Sequence, residues 1–367
     1  MAGFPHPARV LCMMLLAWLP GRTWAQEVQW QDARLFEIEG RGWEKTSTAY
    51  GRLPDTAEGK VSKTAWDLSR DNPGVCVRFV TDAAAIEVRW SLLRGGLAMP
   101  HMPATGVSGV DLYTRTSEGS WVFVGNGRPH RQEGNVGKFE FRSAGKTEHE
   151  GLLYLPAYNG IKSLEIGVRP GARLEKPAPR PEGRRRPVVV YGTSIVQGGC
   201  ASRPGMVWSA ILGRMLDRPV INLGFSSSGD MEPPVGEVLA EIEAAAFVID
   251  CTWNMSDDPA LYLKCVPKLV HAIRQKRPGA AIIFVGQSEM RPEAHPTKFT
   301  EGQEAAVKSL QAEGVKGLIA VPGTDLIGDD GEGTVDGVHL TDVGMLRQAR
   351  ALFATVKEAA EGADPAK

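Results

Sequence analysis

Val188-Val189-Val190-Tyr191-Gly192-Thr193-Ser194 decides the fold of the C-terminal half. Three valines and a tyrosine make an apolar run of strand length, and a glycine with two hydroxyl residues stops it. Downstream, Met206, Val207, Ala210, Ile211 and Met215 fall at helical spacing and predict a helix from Met206 to Leu216. A second strand, Val220-Ile221-Asn222-Leu223, and a helix from Val235 to Ala245 follow. Phe247–Asp250, Ala281–Val285 and Leu318–Val321 continue the series, with helices expected over 259–275, 301–313 and 342–360. Short apolar strands alternating with helices predict a parallel sheet covered on both faces, here over residues 188–362.

Upstream the pattern changes. Between residues 27 and 170 the apolar runs are short, β-branched or aromatic, and separated by Gly, Asn, Asp and Pro. Val75–Val80, Ala85–Trp90, Trp121–Val124 and Leu164–Val168 are examples. This predicts an all-β, jelly-roll-like sandwich without helices of useful length. Residues 171–187 turn abruptly to Pro, Arg and Glu and read as a linker, with Arg184-Arg185-Arg186 as a solvated run.

The N-terminus carries Arg9, an apolar run Val10–Leu19, then Pro20-Gly21 and the small Ala25. Basic, apolar, small is the layout of a cleavable export signal over residues 1–25, which predicts a secreted or periplasmic protein. Ten apolar residues are too few for a bilayer span, which takes about 20. Cys76, Cys200, Cys251 and Cys265 remain, and three full pairings are open to them. A formal net charge of -1 gives no basic excess to draw nucleic acid or an anionic membrane.

Open parallel sheets bind ligands beyond the carboxyl ends of their strands. Ser194 follows the first strand, Gly224 ends the second, and Asn254 follows the third. After the fifth, a loop from Pro322 to Val335 leads to Asp336 and His339. At about 3.3 Å per residue that loop can reach back along the sheet edge. Asp325, Asp329, Asp330 and Glu332 in it lack the spacing of an EF-hand, and no bound calcium is expected. A hydroxyl, an imidazole with a carboxylate three residues earlier, a glycine and an amide form the inventory of acyl transfer. Ser194 is the expected nucleophile, His339 its base and Asp336 the group that orients the base. The N–H groups of Ser194 and Gly224 and the amide of Asn254 are the expected oxyanion donors.

Taken in chain order, Ser194, Gly224, Asn254 and Asp336-x-x-His339 resemble the four blocks of the SGNH (GDSL-type) hydrolases. Gly109-Val110-Asp111-Leu112-Tyr113 resembles the GxDLY motif of the β-domain that precedes one SGNH subgroup. Tyr154–Gly160 and Gly199–Gly205 resemble that subgroup too. The resemblance implies a flavodoxin-like three-layer α/β/α domain, no cofactor, and ester hydrolysis through an acyl-serine. Two blocks depart from the pattern: Gly-Thr-Ser replaces Gly-Asp-Ser, and Thr-Trp-Asn-Met replaces Gly-x-Asn-Asp. The bulk of Trp253 beside Asn254 favours a small acyl group such as acetyl. Arg203 is open to two uses, an anionic or sugar substrate or a carboxylate of the protein. Asp111 and Tyr113 fit a structural tie better than a substrate contact.

The expected function is therefore an exported esterase that removes a small acyl group, and the resemblance of an exported β-domain joined to an SGNH domain to several carbohydrate esterases implies a carbohydrate as its substrate. Hydrolysis of a lipid or small-molecule ester, and a carbohydrate-binding protein with a degenerate hydrolase domain, are the rival readings. A degenerate domain should have lost Ser194, Asp336 or His339, and all three are present.

Overall fold

The computed structural model describes residue 3 and residues 27–142, 147–289 and 296–363. Apart from Gly3, the expected export signal lies outside the described residues.

Strands between Gln29 and Glu175 form two antiparallel sheets. One has the spatial order Gln29–Asp32, Ile161–Val168, Ala85–Leu92, Asn135–Glu140. The other runs Leu174–Glu175, Cys76–Thr81, His149–Tyr154, Val110–Arg115, Trp121–Gly127, with Glu37–Glu39 also on Cys76–Thr81. Ala85–Leu92 shows why one face turns inward. Ile86, Val88, Trp90 and Leu92 are buried while the residues between them are partly exposed, the period-two pattern of a strand with one face on a core. They meet Val77, Phe79, Leu112 and Leu153 of the other sheet in one apolar cluster. Each such side chain contributes about 1.5–3 kcal/mol when fully buried.

Two short helices, Lys63–Leu68 and Ala104–Val107, interrupt this domain where none was expected. Each has fewer than two turns, too few for a helical period to show. The first starts on Ser62, whose hydroxyl accepts the Ala65 N–H at 3.2 Å. The stretch read as a linker is docked at separate points. Leu174–Glu175 pairs with Val80 and Thr81, and Arg180 is buried against Glu39 through two bonds of 2.7 and 2.9 Å.

The C-terminal half holds five parallel strands in the order Val220–Gly224, Val188–Gly192, Ala246–Asp250, Ala281–Val285, Leu318–Val321. Alternate residues enter opposite cores. Val189, Ile221, Leu223, Phe247 and Ile249 go to one, and Val188, Val190, Val220, Val248 and Ile283 to the other. Helices Trp208–Leu216, Pro233–Leu239, Pro259–Lys276, Lys298–Ala312 and Asp342–Ala363 complete the fold. The second strand lies on one side of the first and the third on the other, so the chain reverses direction across the sheet there. The crevice at such a reversal is where ligands bind in folds of this order.

The two halves share a core. Tyr113, Leu152 and Tyr154 of the first pack in one cluster with Val196, Trp208 and Ile211 of the second.

Candidate active site

Gly192 pairs across to Gly224 and Asp250, and Thr193 then turns the chain into a single helical turn, Ser194–Gln197. The Thr193 hydroxyl caps that turn by accepting the Ile195 N–H at 3.2 Å. Gly198 ends it at φ +108°, a left-handed conformation that favours glycine. As the first residue of the turn, Ser194 has no intrahelical acceptor for its own N–H.

His339 is held from both sides. Its Nε2 stands 2.9 Å from Ser194 Oγ, and its Nδ1 stands 2.8 Å from Asp336 Oδ2. The carboxylate keeps the proton on Nδ1, which leaves Nε2 free to accept from the serine. Asp336 Oδ1 accepts the N–H groups of Val338 and His339 at 3.0 and 2.8 Å. Burial pushes the Asp336 pKa up, but the hydrogen bonds from the His339 ring and from these two N–H groups outweigh it and hold the carboxyl at about 2. Gly199 makes room for the pair: a Cβ there would stand 2.9 Å from His339 Cδ2 and 3.1 Å from Ser194 O. The long loop before Asp336 is pinned by the bridge Thr334–Leu340 and by Arg347 on Asp330 at 2.7 Å. Among the described residues no group of three or more His, Cys, Asp or Glu is placed to hold a metal ion.

The structure corrects one oxyanion assignment. Gly224 donates its N–H to Asn222 Oδ1 at 2.9 Å. Glycine is required there for packing, since a Cβ would fall 2.1 Å from Gln197 N. Following each N–H through this loop finds the free donor. Phe225 donates to Gly192 O, Ser226 to Gln197 Oε1 and Ser228 to Phe225 O at 2.8, 2.9 and 3.0 Å. Gly229 donates to Asn254 Oδ1 at 3.2 Å. Among the described residues only the Ser227 N–H of this set has no partner, and Ser227 stands exposed at φ +56°. A positive φ on serine leaves no mark in a sequence, so no signal could have found it. The bond from Gly229 also engages the oxygen of Asn254, so the amide's Nδ2 is its remaining polar end.

The first domain holds this loop in place. Arg52 is fully buried and donates to the carbonyls of Asn222 and Gly224 at 3.0 and 2.9 Å. Gln197 Nε2 donates to buried Asp71 Oδ2 at 3.2 Å, and Asp71 is paired with Arg94. Burial raises the Asp71 pKa against the pull of Arg94. Ser62 Oγ meets Ser228 Oγ at 2.7 Å. Arg52, Asp71 and Ser62 lie in no recognisable motif, and their partners in the second domain are more than 120 residues away in the chain.

Arg203 is withdrawn from the substrate residues. Its guanidinium bonds Asp111 Oδ2 at 2.8 Å and Tyr113 Oη at 2.6 Å, and it lies 3.9 Å from the centre of the Phe123 ring. Asp111 also accepts from Gly205 N at 2.8 Å and from Asn126 at 2.7 Å. A wholly buried carboxylate needs such partners, so the GxDLY residues clamp the two domains together. Trp253 lies half-buried next to Asn254, with its indole N–H on Ser288 Oγ at 3.1 Å. All four described cysteines are free thiols.

A family model described as GDSL-like Lipase/Acylhydrolase matches residues 185–357, and the N-terminus of Esterase_SGNH_hydro-type, GxDLY, matches residues 28–174. A Bacteroides ovatus protein assigned as a GDSL-like lipase is 31% identical over 91% of this chain and 98% of its own, with a TM-score of 0.80. The salicylyl-acyltransferase SsfX3 from a tetracycline biosynthetic pathway has the same fold at 16% identity, covering 88% of this chain and 95% of its own, TM-score 0.71. So has a family two carbohydrate esterase from Cellvibrio japonicus, at 12% identity over 91% of this chain and 98% of its own, TM-score 0.57. A comparison with curated proteins found no match. Fold and comparisons together define a hydrolase of esters. The chain belongs to the GDSL-like lipase/acylhydrolase, or SGNH, family, in the form that carries a GxDLY domain before the hydrolase domain.

Proposed function

We propose that this protein is an exported serine esterase that removes a small acyl group from a carbohydrate through an acyl-serine intermediate. One observation carries the reading: Ser194 Oγ, His339 and Asp336 form a continuous hydrogen-bonded line with steps of 2.9 and 2.8 Å. His339 Nε2 takes the proton as Ser194 Oγ bonds to the acyl carbon. The carbonyl oxygen gains negative charge, and the N–H groups of Ser194 and Ser227 with the Asn254 amide receive it. Each such donor is worth about 2.7–4 kcal/mol in the transition state. The imidazolium then returns its proton to the leaving alkoxide, and water repeats the sequence on the acyl-serine.

Trp253, fixed by its bond to Ser288, stands beside the oxyanion amide and supports a short acyl group. Likeness to a carbohydrate esterase supports a sugar as the alcohol. The basic, apolar and small segments of residues 9–25 support export. Release of acetate from p-nitrophenyl acetate and from acetylated xylan, by the protein and by Ser194→Ala, tests the reading. Activity in the first and its loss in a folded second is expected. Equal rates in both would remove Ser194 from its role.

A further inference from the structure

A second imidazole stands at the mouth of this site, supplied by the other domain. Met99-Pro100-His101-Met102 is a tight turn closed in both directions, Met99 N to Met102 O at 3.0 Å and Met102 N to Met99 O at 3.1 Å. Pro100 fixes its own φ at the corner. Met102 is buried in the cluster that also contains Tyr158, Cys200, Ala201 and Leu340, and Met99 packs against it. The chain that follows is fastened to the hydrolase half. Thr105 Oγ1 donates to Ser202 O at 2.6 Å, and a Cβ on Gly106 would fall 2.3 Å from Ala201 O. Between these anchors His101 is exposed, and its ring centre lies 6.1 Å from that of His339, tilted by 35°. Neither stability nor packing accounts for an exposed imidazole on so rigid a mount.

We infer that His101 is a specificity-determining residue that hydrogen-bonds the leaving alcohol, and that this alcohol carries further hydroxyl groups close to the ester oxygen. The inference rests on the esterase reading above. In that reaction His339 Nε2 protonates the departing oxygen, so that oxygen stands within about 2.6–3.2 Å of Nε2. The atoms attached to it then extend over the ring neighbouring His339, which is His101. A neutral imidazole offers one donor and one acceptor, a match for the vicinal hydroxyls of a sugar ring. The acyl group lies on the other side of the reacting carbon and is not read by His101. Glycine at 199 leaves room for the His339 ring on one flank, where a Cβ would stand 2.9 Å from its Cδ2, and His101 stands by the ring as well, so the two domains together frame the leaving side.

The measurement is the ratio of kcat/KM on acetylated xylotriose to kcat/KM on p-nitrophenyl acetate, whose leaving group has no hydroxyl neighbours. In His101→Ala and His101→Phe the ratio falls by about five- to tenfold, the size of one hydrogen bond to substrate. In His101→Gln, which retains a donor and an acceptor, it falls less. A ratio that stays within about twofold of wild type in both Ala and Phe variants overturns the assignment. A Phe variant that keeps the ratio where Ala loses it would replace hydrogen bonding by ring contact, and likewise overturns it. The esterase reading is tested apart from this, by the wild-type rate on p-nitrophenyl acetate and its loss in Ser194→Ala.

Discussion

Gln197 and Ser226 are joined across two strand ends: the Gln197 Oε1 accepts the Ser226 N–H at 2.9 Å. Gln197 closes the helical turn that Ser194 opens, and Ser226 precedes the unpartnered N–H of Ser227. One side chain therefore links the turn of Ser194 to the loop of Ser227, the proposed nucleophile and the proposed oxyanion donor. Asp71 of the first domain steadies it from behind at 3.2 Å. Gln197→Met keeps the volume and removes both bonds. The expected result is a fall in kcat of about tenfold with KM within about twofold, because misplaced donors act on the transition state. Steady-state kinetics on p-nitrophenyl acetate decide it, and an unchanged kcat in a folded variant would end the argument.

Arg203 and Asp111 should show their weight in stability. Asp111 is fully buried, and Arg203 supplies its only cationic contact among the described residues. Stranding a buried charge costs about 3–5 kcal/mol. Arg203→Ala should lose about that much in urea unfolding. Arg203→Ala with Asp111→Asn should lose less than the two single losses added together, since neither charge is then left alone. Strict additivity would mean that the pair is not the clamp.

These residues also mark where sequence reasoning stopped. The parallel sheet was legible because Val188–Tyr191, Ala246–Ile249 and Ala281–Val285 are unbroken apolar runs, as burial on both faces demands, and Val220–Leu223 is interrupted only by Asn222. Ser194, Asp336 and His339 were legible because each stands just past a strand or at the end of the loop that follows one. Gly224 was located correctly and explained wrongly. The need for glycine lies in the backbone of Gln197 pressing on it, a contact between residues 27 apart that no local pattern announces. Arg203 has the composition of a ligand-binding residue and the surroundings of a structural one. Arg52 and Asp71 were invisible, since an arginine and an aspartate among many carry no sign that both will be buried.

Asp336 should contribute to acid stability in a defined window. Its folded pKa of about 2 lies below the ordinary 3.8. A depressed carboxylate stabilises the fold above its unfolded pKa, and that contribution is lost as pH falls from about 4 to about 2. Asp336 is 46% exposed, so solvent screens the effect and it should be modest. Asp336→Asn should flatten the acid limb of a stability curve in this window. An identical limb in both proteins would show that the hydrogen bonds from His339 and Val338 do not bias the carboxyl.

Asp250 should act in the opposite sense. It ends the third strand, opposite Gly192, and its backbone carbonyl accepts the Thr193 N–H at 3.3 Å, just before Ser194. Burial raises its carboxyl from 3.8 to about 7, with only the Gln348 amide, at 2.9 Å, to draw it down. Between those values the folded protein keeps a proton that the unfolded chain releases. Stability therefore falls as pH rises from about 4 to about 7, by at most about 1.4 kcal/mol per pH unit, and levels off above. Asn at this position keeps an oxygen for Gln348 and has no charge to strand. Relative to wild type, Asp250→Asn should gain on the order of 3 kcal/mol more at pH 8 than at pH 4. Urea unfolding at the two pH values measures it. A gain that is the same at both would show that Asp250 ionises freely in the fold, in spite of its burial against Gln348.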